Sequence, residues 1–198
     1  DAARLTKQTL KFMRRKVPAI TFMNKWLGIL SIVIDALPGD KKKKRLHAIL
    51  GLAHAMRKYD PVELEKRTPA IKIYTHGTSI YLMDNPMLAL IYHVHAMKAA
   101  LKGRGSPESL IKVVVDRASL LGYMGFHKAA YRYFDLCMDV TRACNLRGLY
   151  GYTALRRVLF LDYTKGRNDE VSDNLTEAMH YLNPNEDRLS YGLGICFT

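Results

Sequence analysis

The residues able to do chemistry in this chain are a few histidines, cysteines and adjacent charges, and their spacing argues against a reaction. His93 and His95 stand two apart in a stretch of helical character. On a helix that places them about 200° from each other, whereas a helical metal pair lies three or four apart. The three cysteines, Cys137, Cys144 and Cys196, make neither a Cys-x-x-Cys pair nor an even framework. They read as buried or incidental reduced thiols rather than a secreted disulfide scaffold. Gly103-Arg104-Gly105 lacks the Gly-Lys-Ser/Thr ending of a phosphate loop. Asp116 with Arg117, and Asp169 with Glu170, are adjacent pairs better explained as solvated helix charges or caps than as an acid and a base. No serine or cysteine stands in a nucleophile context. The expectation is a protein with no catalytic residues, no cofactor and no metal.

Charge is the stronger signal. The 198 residues carry a net charge of +13, and hydrophobic residues make up 48%, enough for a real core. Residues 1–50 hold 12 Lys or Arg against 3 acids, while residues 167–190 hold 2 against 6. A basic end and an acidic end on one small chain suggest a part docked into something larger, with nucleic acid as the other obvious partner. Residues 2–34 contain no acid but seven cations, among them Arg14 and Arg15. That composition resembles mitochondrial import sequences and the segments next to them.

The elements that would position such groups read as helices. Residues 2–16 form a basic amphipathic helix with Leu5, Leu10 and Phe12 on its apolar side, either solvated on the domain or binding a partner. Pro18 suits the first turn of a second helix, running to Leu37. Its run Trp26 to Ile34 is too short for the ~20 residues of a membrane span. It reads as buried helix with Trp26 as a packing anchor, and as the place to seek a buried contact with a partner. A helix from Lys41 to Tyr59 carries Lys41, Lys42, Lys43, Lys44 and Arg45 at its N-terminus, where the dipole disfavours them. That placement leaves two readings, a solvated charge run or a surface for an acidic partner. Residues 60–85 are the odd segment: a short helical turn at 61–66, then Ala70–Tyr74 and Ser79–Met83, which are β-branched and aromatic and read as a small hairpin or an extended connector. Helices follow over 86–102, 107–121, 126–140, 149–164 and 170–182, with turns at 122–125 and 145–148.

Two of these turns introduce the same pattern. After Gly125 come Ala130, Phe134 and Cys137 at +5, +9 and +12; after Gly166 come Val171, Leu175 and Ala178 at the same offsets. Each segment follows a helix, so the pair is an internal repeat with an offset of 41 residues. The hairpins 107–140 and 149–184 resemble pentatricopeptide or tetratricopeptide units. The fold class expected is all-α, about seven or eight helices in antiparallel hairpins stacked as a short α-solenoid. The resemblance implies RNA-reading positions near Asp116 (or Val115) and Ala154, but no paired amide-and-aspartate code stands there.

In size, helix count and degenerate pentatricopeptide character, the chain is similar to the accessory F1 subunits of euglenozoan mitochondrial ATP synthase. That resemblance implies a non-catalytic subunit on the matrix side, seated outside the catalytic head against the α subunit. The organisation expected is an N-terminal arm and apolar helix over 1–37 and a helical-repeat domain over 38–198. Partner contacts are expected at Arg14, Arg15, Trp26, Lys41–Lys44 and Arg45. The alternative is an RNA-associated helical protein such as a mitochondrial ribosomal component, supported by the +13 charge.

Overall fold

A computed structural model of the chain describes residues 2–12, 18, 21–36, 48–51, 68–82, 84–102, 105–163, 166, 168–182, 191 and 194–195. Every described element is helical, so the all-α expectation holds. In chain order these are α1 (Ala2–Phe12), α2 (Phe22–Ala36), α3 (Pro69–Tyr81), α4 (Pro86–Leu101), α5 (Pro107–Tyr123), α6 (His127–Ala143), α7 (Arg147–Arg157) and α8 (Asn168–Tyr181). A π-helical turn, Val158–Asp162, extends α7. Residues 48–51 are helical; the rest of the helix expected over 41–59, the turn expected at 61–66 and Pro184 lie outside the described residues. The chain divides into two compact units, Asp1–Asp116 and Arg117–Thr198.

The largest correction concerns residues 70–83. The expected hairpin or connector is the helix α3. Its β-branched residues each cost about half a kcal/mol of helix propensity, but Ile71, Tyr74, Thr75, Thr78 and Tyr81 recur at helical spacing and are buried together. Packing along that face outweighs the local preference. The buried hydroxyls are satisfied inside the helix: Thr75 Oγ1 donates to the Ile71 carbonyl and Thr78 Oγ1 to the Tyr74 carbonyl, both at 3.0 Å. Pro69 occupies the first turn, where its missing N–H does no harm.

In the first unit α3 packs on α4, α1 lies against α3, and α2 lies against α4. Asn85 caps α4, its Oδ1 accepting from the Leu88 N–H at 3.1 Å. The contact between α3 and α4 is aromatic. Tyr92, fully buried, meets Tyr81 at 5.4 Å and Tyr74 at 6.4 Å between ring centroids, and Gly77 leaves room for its ring. Pro18 does not open α2 as expected. The helix starts at Phe22, and Thr21 Oγ1 accepts from the Asn24 N–H at 3.2 Å.

In the second unit α6 packs on α7 and α7 on α8. The turns share one construction. After α5, Phe126 N–H donates to the Leu121 carbonyl and Gly125 N–H to the Gly122 carbonyl, with Gly125 at φ +83°. After α6, Leu146 N–H donates to Thr141 and Asn145 N–H to Arg142, with Asn145 at φ +53°. Both are Schellman closures on a left-handed residue. Gly166, at φ +69°, supplies a third left-handed position. Gly122, expected in a turn, is instead helical, as are Arg147 and Gly148. The expected single helix over 149–164 starts two residues earlier and gives way to the π turn.

Candidate functional site

The residues expected to touch a partner are Arg14, Arg15, Trp26, Lys41, Lys42, Lys43, Lys44 and Arg45, and all but Trp26 lie outside the described residues. Trp26 stands on α2, and its placement corrects the reading of a buried packing anchor: it is 56% exposed. The α2 sequence is apolar nearly all round, and only one side is covered. Gly28 and Ile32 are buried, and a β-carbon on Gly28 would stand 2.9 Å from Leu90 Cγ of α4. On the other side Phe22, Met23, Trp26, Leu27, Leu30 and Val33 are exposed, Phe22 by 77%. Their spacing places them on one face about 200° from Gly28 and Ile32. Phe22 and Trp26 pack edge-on, with ring centroids 6.1 Å apart. A helix apolar on both sides is ordinarily covered on both. Exposed Lys25 lies beside this face, and α1 exposes Arg4, Lys7 and Lys11. On α1 the residues turned inward are Thr6 and Leu10; Leu5, expected on the apolar side, is exposed.

The repeat-packing residues lie in the second unit. Ala130, Phe134, Cys137, Leu175 and Ala178 are buried, Val171 is half-buried, and Gly125 and Gly166 are the left-handed turn residues. Burial alone raises the Cys137 thiol pKa well above its ordinary value, so it stays protonated. The packing role of two glycines, Gly122 of the expected turn and Gly151, is not written in the sequence. Gly151 meets α8 so closely that a β-carbon would stand 2.9 Å from the Ala178 carbonyl oxygen, and Gly122 lies against the Phe160 carbonyl oxygen. The positions aligned with RNA reading, Val115, Asp116 and Ala154, are buried. His93 is buried in α4, and half-buried His95 stacks on Tyr74 at 5.3 Å. Among the described residues no three His, Cys, Asp or Glu side chains converge as metal ligands, and no helix is long and apolar enough to cross a membrane.

A second concave surface lies where the end of α6, the Asn145 turn and the start of α7 meet the end of α8. It encloses about 220 Å³ and is lined by Thr141, Arg142, Asn145, Leu146, Arg147, Tyr150, Glu177 and Tyr181. Arg142 Nη2 donates to the Tyr150 hydroxyl at 2.8 Å, and that hydroxyl donates to Glu177 Oε1 at 3.0 Å. Tyr181 meets the Tyr150 ring edge-on at 5.0 Å. Burial, foremost, holds the Tyr150 phenol above its ordinary pKa, so it stays protonated and able to donate. No family model, no curated protein and no solved structure matches this chain.

Proposed function

We propose that this chain is a non-catalytic structural subunit that docks on a larger protein assembly through the exposed face of α2, with its helical hairpins as the scaffold. One observation carries the reading: Phe22, Met23, Trp26, Leu27 and Leu30 form a contiguous exposed apolar stripe on a helix whose opposite side is already seated on α4. Burying a large apolar side chain stabilises by roughly 1.5–3 kcal/mol. A cluster with Trp at its centre is the composition of an interface hot spot. The assembly proposed is mitochondrial ATP synthase, with the α subunit of the F1 head as the docking partner; its support is the chain's similarity in size, helix count and degenerate repeat character to the accessory F1 subunits. The alternative partner is RNA, favoured by the +13 charge and the exposed cations of α1.

Salt and ribonuclease separate the two. The test is a native pull-down of the tagged chain from mitochondria, with and without ribonuclease and at two salt concentrations, read by mass spectrometry. Docking through the α2 face predicts recovery of F1 α and β subunits that survives both treatments and is lost in Trp26→Glu, a solvent-side change whose circular dichroism should match that of the parent chain. Recovery of another protein complex with the same insensitivities keeps the subunit reading and replaces the assembly. Ribosomal proteins or RNA that vanish with ribonuclease and weaken steeply with salt would overturn both.

A further inference from the structure

The pocket between α6, α7 and α8 is independent of the α2 face and has a chemistry of its own. We infer that it receives an acidic side chain from an extended peptide segment of a partner protein. Its lining holds two cations, Arg142 and Arg147, against one anion, Glu177. Glu177 already accepts from Tyr150, and Asp139, outside the lining, approaches Arg142 only at 4.0 Å between exposed groups. The exposed Arg147 stands at the start of α7, on the rim of the same pocket. Guanidinium groups pair with planar anions, a carboxylate among them.

The wall is organised before anything binds. The buried Tyr150 hydroxyl accepts from α6 and donates to α8, so it ties Arg142 and Glu177 to one fixed point. A site whose groups are already oriented loses less on binding. The remaining groups favour a peptide over a phosphodiester chain. Glu177 has a second carboxylate oxygen able to accept a backbone N–H, a donor that a phosphodiester backbone lacks. The ring of Tyr181, on the pocket's edge, offers a face to an apolar neighbour of the acidic residue. The volume, about 220 Å³, suits a side chain rather than a folded domain.

The test uses the full chain and a fluorescein-labelled peptide of sequence Gly-Glu-Asp-Glu-Phe-Gly, read by anisotropy. Its Gln/Asn counterpart and a uridine oligonucleotide serve as competitors. The acidic peptide is expected to bind saturably and at least about tenfold tighter than the neutral one. Arg147→Gln, an exposed change, is expected to weaken it about fivefold or more, while Lys128→Gln, exposed at the start of α6, leaves it within about twofold. Equal binding of the two peptides, equal losses in the two variants, or no saturable binding below about 1 mM would overturn the inference. Stronger displacement by the oligonucleotide than by unlabelled acidic peptide would reassign the pocket to nucleic acid.

Discussion

Gly28 sits on Leu90 with no room for a side chain, since a β-carbon there would lie 2.9 Å from Leu90 Cγ. Two residues earlier, Trp26 points away from that contact and is exposed. One helix therefore carries two faces of opposite consequence. Gly28→Val should overpack the α2–α4 contact and cost about 1–3 kcal/mol. Trp26→Ala should change stability by no more than about 0.5 kcal/mol. Urea denaturation of the two variants measures both. A large loss for Trp26→Ala would mean that this side chain belongs to the core and that the α2 face is not a docking surface.

Because Trp26 is the single tryptophan, it also reports on its own face. In the isolated chain its emission should be that of a largely solvated indole, open to acrylamide quenching on the side away from Phe22. Binding of the assembly should shift the emission to shorter wavelength and protect it. Unchanged emission in the bound state would place the contact elsewhere on the chain.

Gly122 offers a test in which two principles give opposite signs. It stands within α5, where replacing glycine by alanine ordinarily stabilises a helix by about 1 kcal/mol. Here the β-carbon would run into the carbonyl oxygen of Phe160, a backbone atom of the π turn that cannot swing aside. Gly122→Ala should therefore destabilise, by about 1–3 kcal/mol. A stabilised variant would show that the π turn relaxes to regular helix at little cost.

The same positions show how much could be read in advance. The helical segments of the second unit, and the spacing that buries Ala130, Phe134 and Cys137, were legible because apolar periodicity and left-handed glycine are both written in residue type. Asn145, where the expected turn over 145–148 begins, makes the same left-handed turn as Gly125, twenty residues on; its residue type alone does not mark that conformation, because asparagine serves many turns. The strand expectation at α3 rests on Ile and Thr residues that favour strand locally, while the helical spacing that decides the matter acts through packing on α4, the next helix in the chain. The outward turn of Trp26 was not readable at all: an apolar run states that a helix has apolar faces, not which of them its own chain will cover.

Tyr131 and Asp162 form a part-buried polar contact in the second unit. The Tyr131 hydroxyl donates to Asp162 Oδ1 at 2.7 Å, and Asp162 is 1% exposed. Arg157 Nε stands 3.6 Å from the other carboxylate oxygen, an ion pair too long for a hydrogen bond, while its Nη1 bonds Asp135 at 3.1 Å. Tyr131→Phe removes one donor from a buried carboxylate and should cost about 1.5–3 kcal/mol. A double-mutant cycle with Arg157→Gln should give a coupling of about 0.5 kcal/mol or more, since both groups address one carboxylate. Strict additivity would show that Arg157 serves Asp135 alone.

Tyr92 makes the opposite prediction about a hydroxyl. Its ring is fully buried between α3 and α4, and among the described residues its hydroxyl has no hydrogen-bond partner. Burial first, then the neighbouring phenols of Tyr81 and Tyr74, push its pKa up to about 12 from an ordinary 10.0. The folded state therefore holds this proton more tightly than the unfolded chain does. Below pH 10 Tyr92 gives stability no slope; between pH 10 and about 12 the unfolded chain ionises first and stability falls. Tyr92→Phe keeps the ring, removes a desolvated polar group and should stabilise by up to about 1 kcal/mol at neutral pH. It should also flatten the alkaline decline, leaving the parts due to Cys137, Tyr81 and Tyr150, whose pKa values burial likewise raises. Denaturation of both proteins from pH 7 to 12 measures the two effects together. If Tyr92→Phe loses stability at neutral pH while the alkaline slope is unchanged, the hydroxyl is satisfied in the folded protein and the packing of α3 on α4 depends on it.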